Sequence, residues 1–152
     1  MSDLEEARIA IRAVRENTGL GVVLSFTFER TVRGDYRTMM GVSPADVLAL
    51  GLEEGVIALG SNCGNGIERM VEVLEEFRTT ARKEGMVLPP LIARANAGMP
   101  ILVEDRTVFP EGPDEMAAFV PALIGAGARI IGGCCGTGPA HIAAFGRIIR
   151  KA

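Results

Sequence analysis

The sequence has no tryptophan, one tyrosine, one histidine and only three cysteines among its 152 residues. Six phenylalanines are the only other aromatic side chains, so there is little on which nucleic-acid bases could stack. The formal net charge is −3 and the basic residues are scattered along the chain, which gives no attraction to a phosphate backbone. The composition therefore predicts that the protein has no nucleic-acid partner.

Long apolar runs and a targeting segment are also lacking. No apolar run reaches the roughly 18 residues of a membrane span. The acidic start, MSDLEEARIA, does not have the basic-then-apolar order of a signal peptide. We therefore expect a cytoplasmic protein without a membrane partner, whose odd number of cysteines stays reduced. The length and the 48% of apolar residues predict a single globular domain, residues 1–152.

Four apolar, β-rich segments recur along the chain, and each is followed by glycine, proline or polar residues and then by a helical pattern. They are Val22–Phe28, Val56–Asn62, Leu91–Asn96 and Arg129–Cys134. Strands that alternate with helices predict a parallel α/β sheet with right-handed crossovers. Starts 34, 35 and 38 residues apart fit four units of a (β/α)8 barrel, which is half of that barrel. An open, doubly wound sheet fits the spacing equally well, although residues 29–34 (ERTVRG) are not a glycine-rich nucleotide loop.

Helical patterns surround these strands. They cover Leu4–Glu16 and Ile67–Glu84, begin near Ser43 and Pro113, and run from Pro139 to the C-terminus. Ser43 starts a Ser-Pro-Ala-Asp sequence typical of a capped helix. Pro121 predicts a kink or an early break in the helix that starts at Pro113. Glu111, Asp114 and Glu115 are predicted to be solvated acids near a helix start.

All three cysteines follow predicted strands and are flanked by glycine. Cys63 lies in Gly-Ser-Asn-Cys-Gly, and Cys134 and Cys135 lie in Gly-Gly-Cys-Cys-Gly. The carboxyl ends of parallel strands share one face, and three thiolates with one open position suit a catalytic zinc ion. Burial as small apolar side chains and a vicinal disulfide are the alternatives. Packing explains adjacent cysteines poorly, because neighbours on a strand point to opposite faces.

Several segments resemble motifs of the homocysteine S-methyltransferase family. Residues 130–142 (IIGGCCGTGPAHI) resemble its C-terminal signature, and residues 60–64 (GSNCG) resemble its upstream cysteine motif. Residues 96–100 (NAGMP) and 25–28 (SFTF) resemble two further segments, in the order in which the family has them. The family includes betaine–homocysteine methyltransferase and the homocysteine-binding module of cobalamin-dependent methionine synthase.

This resemblance implies a zinc ion held by Cys63, Cys134 and Cys135, with homocysteine or another thiol in the open position. In methionine synthase modules an asparagine fills that position when substrate is absent, a role that corresponds to Asn96 here. The methyl donor would be a corrinoid protein, a methyl-folate or an onium compound. His141 corresponds to a family histidine that is not a zinc ligand, so we expect a structural or surface role for it.

The resemblance covers only the C-terminal half of family members, which are about twice as long. The half that provides most contacts to the amino acid has no counterpart, and Met1 corresponds to an interior position of the family. The chain is therefore expected to be the zinc-bearing half of a methyltransferase, completed by another chain or by a second copy of itself. The alternatives are a non-catalytic zinc-binding or regulatory module and an inactive fragment without a substrate pocket.

Overall fold

The computed structural model describes residues 1–64 and 66–151 and contains eight strands and six helices in those residues. The strands are β1 (Val23–Phe26), β2 (Glu29–Arg30), β3 (Tyr36–Arg37), β4 (Ala58–Cys63), β5 (Leu91–Ala95), β6 (Ile101–Val103), β7 (Arg106–Val108) and β8 (Ala128–Gly133). The helices are α1 (Leu4–Asn17), α2 (Pro44–Glu53), α3 (Ile67–Lys83), α4 (Pro113–Ala117), α5 (Val120–Gly125) and α6 (Pro139–Ile149).

The central sheet is parallel and has four strands in the order β1-β4-β5-β8. These are the four predicted strands, and their ends differ from the predicted ends by at most two residues. The four strands lie side by side in the same order as they occur along the chain. In a doubly wound sheet, by contrast, the strand order reverses at a switch point. The strand order therefore favours successive units of a (β/α)8 barrel.

Two short antiparallel hairpins, β2–β3 and β6–β7, were not predicted from the sequence. The second turns through Glu104 and Asp105, whose φ angles of 47° and 60° are both left-handed. A two-residue turn with positive φ at both positions matches the right-handed twist of its strands. Both hairpins lie outside the parallel sheet.

The helices begin and end near their predicted positions. Ser43 caps α2, since its hydroxyl accepts the N–H of Asp46, whose carboxylate accepts the Ser43 N–H. The predicted break at Pro121 is confirmed, because α4 ends at Ala117 and a separate helix, α5, begins at Val120.

The two faces of the sheet have different surroundings. On one face, apolar side chains such as Phe26, Leu59 and Leu91 are fully buried in the core that the helices cover. On the opposite face, Val23 of β1 is 43% exposed and Ile130 of β8 is 41% exposed. In a closed barrel this second face lines the interior, and we call it the lumenal face. Among the described residues, no helix is both long and apolar enough to cross a membrane.

Candidate metal centre

The cysteines lie at the carboxyl ends of two strands that are separated in the sheet by β5. Cys63 is the last residue of β4, and Cys134 follows Gly133, the last residue of β8. The sheet register aligns Cys63 with Ala95 of β5, and Ala95 with Gly133. The parallel register therefore brings residues 71 positions apart in the sequence to the same edge.

Backbone contacts hold this edge together. The Cys134 N–H donates to the Ala95 carbonyl at 2.8 Å, and the Ala97 N–H donates to the Cys135 carbonyl at 2.9 Å. The Thr137 hydroxyl donates to the Cys134 carbonyl at 2.8 Å and closes the turn after the cysteine pair. Cys63 has a left-handed φ of 56°, which is uncommon for a residue with a side chain. Such backbone strain persists only where the surrounding structure enforces it.

The three sulfur atoms form a compact cluster. The Sγ atom of Cys63 lies 2.8 Å from that of Cys134 and 3.7 Å from that of Cys135. The remaining pair, Cys134 and Cys135, is separated by 3.9 Å. No other group of three or more metal-ligating side chains of this kind is found among residues 1–64 and 66–151.

These distances can be compared with a metal-bound arrangement. Three thiolates around a tetrahedral zinc ion, each about 2.3 Å from it, are about 3.8 Å apart. Two of the three pairs match that spacing, and the Cys63–Cys134 pair would need to widen by about 1 Å. The donor set also fits zinc, because cysteine thiolates are among its usual protein ligands.

The thiols affect one another's proton affinity. Burial raises the pKa of Cys63, but hydrogen bonds with Cys134, Asn62 and Cys135 outweigh burial and lower it below its usual value. Burial and the hydrogen bond with Cys63 raise the pKa of Cys134 to about 11. Of the two thiols in this pair, Cys134 is therefore the harder one to deprotonate. Binding of a metal ion to all three thiolates would have to release such protons.

Asn96 follows β5 directly and so lies between the two cysteine-bearing strands. Its side-chain N–H donates to the Gly64 carbonyl at 3.1 Å, next to Cys63. The residue is 7% exposed, and its Oδ1 atom has no hydrogen-bond partner among the described residues. A buried amide oxygen without a partner is costly, because it has lost its hydrogen bonds to water and gained none in their place. Its location suits the predicted role of Asn96 as a weak fourth ligand.

A polar network beneath the cluster was not predicted from the sequence. The Ser25 hydroxyl donates to Asn62 Oδ1 at 2.5 Å, and Asn62 Nδ2 donates to the Thr27 hydroxyl at 3.2 Å. Only the resemblance of residues 25–28 to a family segment indicated that this part of β1 is near the site. The network fixes the Asn62 side chain beside Cys63, whose pKa Asn62 helps to lower.

Glu111 differs from its predicted role as a solvated acid. Its Oε2 atom is buried without a hydrogen-bond partner among the described residues. Burial, together with the charges of Glu115 and Glu68, raises its pKa. The carboxyl group packs on Gly98, where a Cβ atom would lie 3.0 Å from Glu111 Cγ. Glycine at position 98, with a φ of 80°, therefore permits this close approach.

His141 joins the segment around Glu111 to the loop that follows the cysteine pair. The Gly138 N–H donates to Nδ1 at 3.1 Å, so the ring proton lies on Nε2, which donates to the Glu111 carbonyl at 3.2 Å. The Glu111 N–H donates in turn to the Ala97 carbonyl at 3.1 Å. His141 thus has the structural role that the sequence predicted, and it is not part of the sulfur cluster.

We expect His141→Ala to lower the free energy of unfolding by about 1–2 kcal/mol, because two hydrogen bonds are lost and their partners are half-buried. His141→Asn should lose less, since its Oδ1 atom can still accept the Gly138 N–H. Urea unfolding measures the three free energies of unfolding, which should fall in the order wild type, His141→Asn, His141→Ala. Equal stability of wild type and His141→Ala would show that these contacts contribute nothing.

Comparison with known proteins places the chain in a family. Residues 1–149 match the sequence profile of the homocysteine S-methyltransferase family, and the chain belongs to that family. It is 39% identical over 89 residues to the methionine synthase of Mycobacterium tuberculosis, an alignment that covers 58% of this chain and 7% of that protein. It is 34% identical over 122 residues to the homocysteine S-methyltransferase of Escherichia coli, covering 78% of this chain and 37% of that enzyme.

The solved structures of the Escherichia coli homocysteine methyltransferase MmuM are similar over the whole chain. The metallated form matches with a TM-score of 0.67 and 26% identity, covering 100% of this chain and 43% of MmuM. The apo form matches with a TM-score of 0.68 and covers 47% of that chain. The present chain thus spans less than half the length of the relatives it matches. The predicted fold, half of a (β/α)8 barrel, is confirmed.

Proposed function

We propose that this chain is the zinc-bearing half of a homocysteine-type thiol S-methyltransferase. The observation that carries the proposal is the convergence of Cys63, Cys134 and Cys135 at one edge of a parallel sheet, with all three sulfurs within 4.8 Å of one another. Membership of the homocysteine S-methyltransferase family and the match to a metallated relative support it. Residues 1–152 would act as a single domain, since one apolar core extends from α1 to α6.

When bound, zinc would serve as a Lewis acid that lowers the pKa of a substrate thiol. The three cysteine thiolates carry more negative charge than the ion neutralises, so a sulfur in the open position keeps its nucleophilicity. Asn96 would occupy that position through its unpaired Oδ1 atom until substrate arrives. The cytoplasm is the compartment we propose, because these thiols must stay reduced.

The reaction we propose is transfer of a methyl group to the sulfur of homocysteine or a similar thiol. The thiol loses its proton to solvent, and its sulfur electron pair forms the new S–C bond. The bond from the methyl carbon to the donor breaks, and its electrons leave with the donor. A corrinoid protein, a methyl-folate or an onium compound has such a leaving group. The parts that bind the donor and the amino acid would come from a second copy or from another chain.

We expect the zinc-loaded chain alone to coordinate the homocysteine thiol but to bind the whole molecule weakly, with a dissociation constant in the millimolar range. Coordination needs only the metal, whereas most amino-acid contacts would come from the completing half. Zinc-edge absorption should show a fourth sulfur with homocysteine and no change with methionine, whose sulfur is already methylated. Tight, stereospecific binding by this chain alone would contradict the expectation. Unchanged spectra at saturating homocysteine would contradict the proposed function and favour a non-catalytic zinc module.

A further inference from the structure

Of the three cysteines, only Cys63 has a left-handed backbone conformation, with a φ of 56°, although it is the last residue of a strand. In a regular strand, the residue after Asn62 would point to the opposite face of the sheet. The left-handed conformation breaks this alternation and leaves the Cys63 Sγ atom 2.8 Å from that of Cys134. Because this conformation is unfavourable for a residue with a Cβ atom, the contacts around Cys63 must hold it.

The residue after Cys63 is held by contacts with two other segments. The Gly64 carbonyl accepts the Asn96 side-chain N–H at 3.1 Å, which ties it to the end of β5. A Cβ atom on Gly64 would lie 2.9 Å from the Phe28 carbonyl oxygen, so the chain after β1 also approaches closely. Gly64 is therefore fixed between β5 and the segment that follows β1.

The residue before Cys63 is held through its side chain. Asn62 faces the lumen beside Arg94, its register partner on β5. Its Oδ1 atom accepts the Ser25 hydroxyl at 2.5 Å, and its Nδ2 atom donates to the Thr27 hydroxyl at 3.2 Å. Both hydroxyls come from one segment, two residues apart, and both residues are half-buried. The Asn62 amide therefore cannot leave its position without breaking both hydrogen bonds.

The two hydroxyls have no other evident use. Neither the Ser25 nor the Thr27 hydroxyl bonds to another of the described residues, and neither side chain belongs to the apolar core. Alanine and valine would fit a strand as well, so strand formation does not explain the hydroxyl groups. What they do in this structure is hold Asn62, and Asn62 directly precedes Cys63.

We infer that Ser25 and Thr27 are positioning residues for Cys63, which fix Asn62 so that Cys63 keeps its left-handed conformation and its sulfur faces the other two. The inference rests on the metal centre of the proposed function and assigns a role to residues outside the sulfur cluster. Residues that orient metal ligands in this way typically contribute about 10–100-fold to metal affinity. The two hydroxyls would thus strengthen zinc binding from a strand that carries no cysteine.

Ser25→Ala and Thr27→Val each remove one hydroxyl and test this role. We expect each variant to bind zinc about tenfold or more weakly than wild type, measured by competition with a chromophoric chelator. Thr27→Ser keeps the hydroxyl and should recover most of the affinity. Thr107→Val makes the same change on an exposed strand outside the parallel sheet and should stay within about twofold of wild type.

A double-mutant cycle shows whether the hydroxyls act through Asn62. In an Asn62→Ala background, which already lacks the amide, Ser25→Ala and Thr27→Val should cause no further loss of zinc affinity. Equal losses in the two backgrounds would overturn the inference, because the hydroxyls would then act by another route. Unchanged zinc affinity in both single variants would overturn it as well.

A measurement on the metal-free protein separates this role from general stabilisation and from the proposed function. In NMR spectra, a strong NOE between the amide proton and Hα of Cys63 marks its left-handed φ. We expect this NOE in wild type and in Thr27→Ser. The Ser25→Ala/Thr27→Val double variant should lose it and keep the NOEs between β1 and β4.

Two results of the NMR comparison would contradict the inference. A double variant that keeps the Cys63 NOE would show that the hydroxyls do not hold this conformation. One that loses the NOEs between β1 and β4 as well would show that they only stabilise the sheet. If wild type bound no zinc, the proposed function would be wrong, and the NMR comparison would still decide whether Ser25 and Thr27 position Cys63.

Discussion

Replacing Cys63, Cys134 or Cys135 with alanine is expected to reduce bound zinc from about one ion per chain to well below one. Each substitution removes one of three thiolates that converge within 4.8 Å. Zinc binding at structural sites is worth roughly 10–16 kcal/mol, and loss of one thiolate should remove several kcal/mol of it. Elemental analysis of purified protein gives the stoichiometry, and competition with a chromophoric chelator gives the affinity.

Two further variants serve as controls for this experiment. Met99→Ala removes an exposed sulfur three residues after Asn96 and should leave zinc binding unchanged. Asn96→Ala should keep the stoichiometry and weaken the affinity less than any cysteine substitution, since an amide oxygen is a poorer zinc ligand than a thiolate. If one cysteine variant retained wild-type affinity, that cysteine would not be a ligand.

Gly136→Ala is expected to destabilise the protein by about 2–5 kcal/mol and to displace the cysteine loop. Gly136 has a φ of 78°, a conformation that costs about 1–2 kcal/mol in a residue with a Cβ atom. The added Cβ would also overlap the ring of Phe109, which packs against the core, and overpacking adds about 1–3 kcal/mol. Urea denaturation measures the loss, and zinc affinity should fall as well because Gly136 follows Cys135 directly.

The matched control is Gly138→Ala, two residues further along the same loop. Gly138 has an extended φ of −139°, and a Cβ atom there would meet no heavy atom within 4 Å. The free energy of unfolding of Gly138→Ala should stay within about 1 kcal/mol of wild type, as expected for a glycine-to-alanine change at a helix N-cap. Equal stability of the two variants would mean that neither the Phe109 contact nor the backbone conformation of Gly136 matters.

The parallel sheet and the meeting of the cysteines could be predicted because both follow from local patterns. Apolar runs bounded by glycine and proline located the four strands within two residues of their ends. Once the strands are parallel, residues at their carboxyl ends must share an edge, which brought Cys63 and Cys134 together without knowledge of side-chain packing. Pro121 predicted the helix break for an equally local reason.

The remaining features depend on contacts between distant segments. β2 is two charged residues, Glu29 and Arg30, which form a strand only because β3 lies beside them. Glu111 has the sequence context of a solvated acid, and its burial results from packing on Gly98 and from the link to His141. The lumenal position of Arg94 likewise depends on the sheet register, which no single strand reveals.

The long separation of Cys63 from its two partners in the sequence has a consequence for the unfolded chain. A metal ion held by all three cysteines would tie β4 to β8 across 71 residues, as a covalent cross-link does. Closing a loop of that length removes about 4 kcal/mol of conformational entropy from the unfolded state. A chelator would therefore affect this protein as a reductant affects a disulfide-bonded one. It would remove the metal ion from the carboxyl ends of the strands and would also lower the stability of the whole half barrel.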